Sequence, residues 1–319
     1  MFNLPSPLEK IEWSVALDHG IEVWMKRDDQ IHHVISGNKW RKLKYSVKEV
    51  RDKKYDGLLT FGGAFSNHIA ATAHAGRVHG ISTIGIIRGE EADRANPTLT
   101  KALKDGMQLV PISREEYARK ELEGFLEQLQ AQYPGYLIVP EGGANRNGVL
   151  GCMEILTEVQ LDFDVIACPL GTSTTFSGIV ASAGATAEVL GFPALKGGGY
   201  LRAHVNNFLE ELKSTPKQLS TFSPTQNWKL IEDYHFGGFA KMKEPLVRFM
   251  NAFWKETGIP LDPVYTAKMM FGLDEMIRKG HFKNGTKLLT LHTGGLQGIA
   301  GMNKKLKNKN YNIEYEDKI

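Results

Sequence analysis

Short apolar runs recur along the chain, each followed by glycine and then by a stretch with helical spacing. Leu58–Phe61 leads into Gly62-Gly63, Thr83–Ile87 into Arg88-Gly89, and Tyr136–Val139 into Pro140-Glu141-Gly142-Gly143. Val165–Cys168 leads into Pro169-Leu170-Gly171-Thr172, and Leu288–Leu291 into His292-Thr293-Gly294-Gly295. Runs of this length alternating with helical patterns predict βαβ units and mostly parallel sheets. Ligands bind such sheets at the carboxyl ends of the strands, where this sequence places its glycines and hydroxyls. Helices are expected at Asn67–His79, Pro97–Asp105 and Arg114–Gln132, with Gly80 and Gly106 closing the first two. The segment 47–149 reads as a compact inserted domain, with 1–46 and 150–319 forming a larger one. Gly197–Tyr200 and the polar stretch Ser214–Asn227 read as long loops, able to serve as a lid or to lie idle on the surface.

Composition narrows the class without naming it. The 319 residues are 42% apolar and 24% charged, with 39 Lys+Arg against 36 Asp+Glu and a net charge of +3. That is the profile of a globular protein with a sizeable core, and it gives no support to a nucleic-acid partner. The basic run in the tail MNKKLKNKNYNIEYEDKI is followed at once by acidic residues and reads as a solvated segment rather than a nucleic-acid contact. No apolar window is long enough to span a membrane. The opening MFNLPSPLEKIEW has neither the basic nor the apolar region of a secretory leader. Cys152 and Cys168 form no disulfide or zinc pattern and read as reduced structural residues, so the expected location is cytoplasmic.

Several motifs nearly match and fail. Gly280–Lys287 has phosphate-loop spacing, but Thr286 and Lys287 stand in the wrong order and precede a strand. No GxGxxG opens a helix after a strand, which argues against a nicotinamide or flavin enzyme. His68, His74 and His79 would fall about 240° and 140° apart on one helix, so no metal centre is expected from them.

Three other segments carry chemistry. With Lys39 at the origin of a helical wheel, Leu43, Val47 and Val50 fall near 40°, 80° and 20°, so Lys39 borders an apolar stripe. Arg41 and Lys48, at roughly 200° and 180°, are expected to face solvent. Lys42 lies one turn from Lys39, and a lysine at a buried edge beside another cation loses part of its preference for the charged form. Such an amine can attack a carbonyl; taken alone, though, a lysine snorkelling from a helix edge explains it as well. In Gly62-Gly63-Ala64-Phe65-Ser66-Asn67-His68 a hydroxyl and an amide stand where a strand ends and a helix begins, suited to an anion or simply to capping. Gly171-Thr172-Ser173-Thr174-Thr175-Phe176-Ser177-Gly178 offers successive hydroxyls and backbone donors before an apolar helix, as a phosphate cradle would.

Together these segments resemble the pyridoxal 5'-phosphate (PLP) family that contains D-cysteine desulfhydrase and 1-aminocyclopropane-1-carboxylate (ACC) deaminase. The matching pieces run in order through the chain: PSPLEKI, KRDD, SGNKWRKLKY, GGAFSNH, VPEGGAN, GTSTTFSG, LDPVYTAK and HTGG. The resemblance implies an α/β chain of two domains, with twisted, mostly parallel sheets flanked by helices (fold type II, tryptophan-synthase-β-like). It implies a Schiff base between Lys39 and PLP, with Lys42 helping to hold the phosphate and Asn67 bonded to the ring hydroxyl. Gly171, Thr172, Ser173, Thr174 and Thr175 would cradle the phosphate, and Thr266 and Thr293 would stand near the pyridine nitrogen. Ser66 would bind the substrate carboxylate or assist proton transfer; Asn67, His68 and Tyr265 would face the substrate beside it.

The chain also departs from the family. Phe65 stands where glutamine is usual, and Phe239 stands where a tyrosine often lies between glycines. Where ACC deaminases read DPVYE this chain reads Asp262-Pro263-Val264-Tyr265-Thr266, and Thr293 replaces a leucine after His292. The expected activity is β-elimination from D-cysteine or a related small D-amino acid, giving pyruvate, ammonia and sulfide. The alternatives are ACC deamination, or a catalytically idle PLP-binding sensor. A homodimer is expected from the resemblance.

Overall fold

A computed structural model describes residues 2–35, 37–90, 96–214 and 222–316. Ser36 of the lysine segment, and residues 215–221 of the polar stretch read as a loop, lie outside the described residues. The chain folds as two compact units, Met1–His33 with Cys152–Ile319, and Val34–Gly151. The expected small domain was to begin at residue 47, a position that falls inside a helix; the chain changes unit at 33/34 instead.

The first unit opens with β1 (Leu8–Ile11), α1 (Ser14–Asp18) and β2 (Glu22–Arg27). The Val34–Gly151 unit then contains α2 (Lys39–Asp52), β3 (Gly57–Gly62), α3 (Asn67–His79), β4 (Ser82–Arg88) and α4 (Pro97–Lys104). It continues with β5 (Gln108–Ile112), α5 (Arg114–Ala118), α6 (Glu123–Gln132) and β6 (Tyr136–Val139), and leads into α7 (Arg146–Thr157). The chain returns to the first unit through β7 (Val165–Leu170), α8 (Thr174–Ser182), β8 (Glu188–Pro193), α9 (Tyr200–Lys213) and β9 (Trp228–Leu230). It closes with α10 (Glu244–Thr257), α11 (Thr266–Arg278), β10 (Lys287–His292) and α12 (Gly298–Leu306).

The sheet of the Val34–Gly151 unit has the order β5-β4-β3-β6 and is parallel throughout. The other sheet has the order β1-β2-β10-β7-β8-β9, and only its β1–β2 pair is antiparallel. The mostly parallel α/β architecture is therefore as expected. Strand β3 is buried at every position, which explains why it reads as a continuous apolar run rather than an alternation.

Three expectations need correction. The helix expected over Arg114–Gln132 is two, because a continuous one would turn Glu121 inward one turn after buried Tyr117; instead Glu121 is exposed. Arg41 does not face solvent but is buried. Helix α2 is covered on that side by α7, so closely that a methyl group at Gly151 would overlap the Arg41 carbonyl. The tail is not simply solvated: Met302, Leu306, Ile313 and Tyr315 join the core, and the Tyr315 hydroxyl bonds both the N–H and the carbonyl of Leu261.

Candidate active site

In the Val34–Gly151 unit, Lys39 is the first residue of α2. Asn38 precedes it but does not cap the helix with its side chain; its Oδ1 accepts a hydrogen bond from Lys39 Nζ at 2.8 Å. Lys42, one turn on, is buried. Gly143, at φ +72°, comes so close that a methyl group there would lie 3.0 Å from Lys42 Cβ and 3.4 Å from His68 Cε1. The glycine turn after β6 thus backs onto both Lys42 and His68.

Helix α3 begins where the GGAFSNH segment was expected to matter. Ser66 is its N-cap, accepting from the Ile69 N–H at 3.3 Å. That bond uses an oxygen lone pair and leaves the O–H proton available, so capping and substrate contact are compatible. Asn67 is half-buried at the first helical position, and Phe65 is 70% exposed just before the cap.

His68 is fixed in one tautomer. Thr60 Oγ1 donates to the Val139 carbonyl at 2.7 Å, so it must accept from His68 Nε2 at 2.9 Å. The proton therefore sits on Nε2, and Nδ1 is a buried acceptor without a partner. Burial, reinforced by the charges of Lys39 and Lys42, holds the imidazole well below the usual histidine range, so it is neutral near pH 7. The other two histidines of α3 are engaged elsewhere: His74 bonds Asp105 at 2.9 Å, and His79 stacks on Trp40 at 5.3 Å.

In the other unit, strand β7 delivers the hydroxyl-rich loop to the start of α8. Ser173 is the N-cap residue in a left-handed conformation (φ 64°, ψ −21°), without a side-chain capping bond. Ser173, Thr174 and Thr175 are buried, and the Ser173 hydroxyl is without a partner. Thr172 and Thr174 meet through their hydroxyls at 3.0 Å. A buried helix N-terminus with an unpaired hydroxyl suits an anionic group rather than a closed core. The cradle stays open because residue 171 is glycine: a methyl group there would lie 3.0 Å from Tyr265 Cε1 and 3.2 Å from its phenol oxygen.

Tyr265 and Thr266 are placed by a residue that sequence reasoning missed. The buried Asp262 carboxylate accepts from the backbone N–H groups of Val264, Tyr265 and Thr266 at 2.9, 3.0 and 2.6 Å. It caps α11 from three residues before the Tyr265 N-cap; the DPVY pattern hinted at a turn but not at this role. Thr266 is fully buried, and its Oγ1 is unpartnered. Phe239 packs against Tyr265 with ring centroids 6.0 Å apart. Thr293 is buried after β10, beside His292, whose Nε2 donates to the Pro260 carbonyl at 2.8 Å and whose Nδ1 accepts from the Gly294 N–H at 3.2 Å.

Within an α/β fold, one unit thus carries an anion cradle and the other a lysine pair. The chain belongs to the family of pyridoxal-phosphate dependent enzymes, whose model matches residues 2–294. It is 30% identical over 320 residues to the bifunctional D-cysteine desulfhydrase/1-aminocyclopropane-1-carboxylate deaminase, mitochondrial, of Arabidopsis thaliana, covering 93% of this chain and 78% of that one. It is 26% identical to the D-cysteine desulfhydrase of Yersinia enterocolitica, covering 92% of each. A crystal structure of an ACC deaminase homologue superposes with a TM-score of 0.82 at 26% identity, covering 96% of this chain and 94% of that one. The unpaired Ser173 hydroxyl and the buried start of α8 fit the cofactor's phosphate, and Lys39 is an amine of the kind its aldehyde requires. Among the described residues, no group of His, Cys, Asp and Glu could hold a metal ion, and no helix is long and apolar enough to cross a membrane.

Proposed function

We propose that the chain is a lyase that removes a β-leaving group from a small D-amino acid, D-cysteine being the type substrate. The observation that carries this reading is the neutral, buried Thr266 behind Tyr265. Asp262, four residues earlier, has its oxygens committed to three backbone N–H groups. Neither hydroxyl, of Thr266 or of Thr293, offers the full negative charge that would hold a pyridine nitrogen protonated.

When bound, PLP supplies a sink for the electron pair left by α-proton removal. The residues do the rest. On the family resemblance, Lys39 Nζ would hold the cofactor and then move the α-proton, Lys42 and the Gly171–Thr175 loop would retain the phosphate, and Asn67 would bond the ring hydroxyl. Ser66 holds the substrate carboxylate through its free O–H, and the neutral His68 Nδ1 accepts a hydrogen bond beside it. Tyr265 faces the substrate's side chain.

Elimination breaks the Cβ–S bond, sulfur leaves with the electron pair, and water completes the conversion of D-cysteine to pyruvate, ammonia and sulfide. ACC has no α-proton, so opening its ring requires a stronger sink or a nucleophile. This chain has Thr266 and Phe239 at the positions where the resemblance would put a carboxylate and a phenol. ACC deamination is the second reading, favoured by the likeness to the ACC deaminase homologue. One preparation assayed for sulfide plus pyruvate from D-cysteine, and for ammonia plus 2-oxobutanoate from ACC, decides between them. ACC turnover without elimination from any D-amino acid reverses the assignment; retained cofactor with no keto acid from any amino acid indicates a sensor. The resemblance also points to a homodimer, which sedimentation velocity of the purified chain tests.

A further inference from the structure

Lys268 lies one turn after Tyr265 on α11 and is buried to 1% exposure. Its ammonium donates to three carbonyls: Gly238 at 2.8 Å, His235 at 2.9 Å and Ala194 at 3.3 Å. Three protons meet three acceptors, so the cation is fully satisfied without a carboxylate at its head. Two of those carbonyls belong to a segment outside helix and strand, where they also accept the turn bonds of Gly238 N–H (to His235, 3.0 Å) and Lys241 N–H (to Gly238, 3.2 Å). Phe236, Gly237, Gly238 and Ala240 all have positive φ, at 56°, 100°, 119° and 51°. The third, Ala194, follows β8 and donates its own N–H to Leu170, the residue before the glycine on which Tyr265 rests.

The segment has a local anchor at its start, where Phe236 packs edge-on against Phe271 at 4.9 Å. A cavity of about 270 Å³ opens beside it, lined by Tyr234, Phe236, Gly237, Lys243 and Phe271 among others. Packing thus holds the segment through Phe236 and Ala240, which meet the core, and leaves open space beside Gly237. Phe239, at its tip, is 52% exposed and lies against the Tyr265 ring.

We propose that Lys268 is a positioning residue whose ammonium clamps the 235–240 segment in the conformation that sets Phe239 on Tyr265, building the wall met by the substrate's side chain. The clamp stands on geometry alone; its bearing on substrate rests on the reading above, in which Tyr265 faces the amino acid. Burial lowers the Lys268 ammonium to about 8, with Asp262 opposing the shift, so the group still carries its charge near pH 7. The same lysine thus joins the end of β8, the segment and the helix that carries Tyr265.

The test uses the holoenzyme and two variants. Lys268→Met keeps much of the side chain's bulk and removes the charge. Gly238→Ala strains the segment at φ +119° without a clash, since its Cβ would find no atom nearer than 3.7 Å. In Lys268→Met, amide hydrogen exchange over residues 235–241 should rise about tenfold or more, while strand β3 exchanges as in the wild type. KM for the amino acid should rise roughly tenfold, with kcat within about twofold and cofactor absorbance retained. Gly238→Ala should shift exchange and KM in the same direction. Wild-type exchange over the segment in Lys268→Met overturns the clamp, and if that variant fails to fold, unchanged exchange and KM in Gly238→Ala overturn it. Raised exchange with unchanged KM overturns the link to substrate and leaves the lyase reading intact. A wild type that releases no keto acid counts against the lyase reading instead, and exchange alone then decides the clamp.

Discussion

At the scale of single residues, the chain separates groups that are held from groups that are left open. Asn38 holds the Lys39 amine, and Thr60 fixes the tautomer of His68. The Nδ1 of His68 and the hydroxyls of Ser173 and Thr266 are buried and unpartnered. A buried polar atom without a partner costs roughly 1–3 kcal/mol, so such atoms mark places where a ligand would repay their desolvation. Lys39→Ala should leave the fold intact and lower turnover roughly 10²–10⁴-fold through loss of the proton-moving amine. Borohydride reduction of the wild type followed by peptide mapping should find the cofactor on Lys39. Its recovery on Lys42 or Lys44 would refute the assignment.

At the scale of elements, the anion cradle is a helix N-terminus without a side-chain cap. Replacing both Thr172 and Thr174 with valine removes two hydroxyl donors while conserving shape. Charge-assisted bonds contribute on the order of 1.5–3 kcal/mol each, so cofactor affinity should fall about tenfold or more. Cofactor retained through dialysis at the wild-type level would show that the phosphate lies elsewhere. Helix α11 is the converse case, closed from within by Asp262. Asp262→Ala strands three N–H groups at a buried helix start and should cost at least about 2 kcal/mol, read from the urea midpoint. Asp262→Asn keeps one acceptor oxygen and should cost less; an Ala variant as stable as wild type would discount the cap.

Local pattern explains what was legible at this scale. Strand β6 and helix α3 carry their apolar runs and terminal glycines in adjacent residues, and both match the expected bounds. Strand β5 (QLVPI) was not anticipated, being only partly buried and carrying a proline. The lysines, Ser66 and the hydroxyl loop stood out because their neighbours in sequence are also their neighbours in space. Lys268 did not, because its partners are backbone carbonyls 30, 33 and 74 residues away. Arg41 misled the helical wheel for a related reason: a wheel shows the faces of one helix, not a second helix packed across its polar side.

At the scale of the whole molecule, the histidines of α3 set the acid limit of stability. His68 carries the larger effect: burial, and then the charges of Lys39 and Lys42, hold it well below the ordinary histidine range. His74 is also lowered, by burial, although its bond to Asp105 opposes the shift. Below about pH 6.5 the unfolded chain takes up protons at these sites and the native chain does not, so stability falls as pH falls. For His68 alone the slope reaches about 1.4 kcal/mol per pH unit, and the loss continues until the native imidazole itself titrates. Carboxylates held below their ordinary range, such as Glu49, add their loss only in more acidic solution. Between about pH 6.5 and 5 the decline is therefore a histidine effect. Urea midpoints of the purified chain should drop steadily from about pH 7.5 to about pH 5. His68→Gln, which cannot take up that proton in either state, should be less stable at about pH 7.5 but should decline less steeply. A wild-type midpoint that stays level or rises on acidification would show that His68 is protonated in the native chain, which would also remove the neutral acceptor from the proposed site.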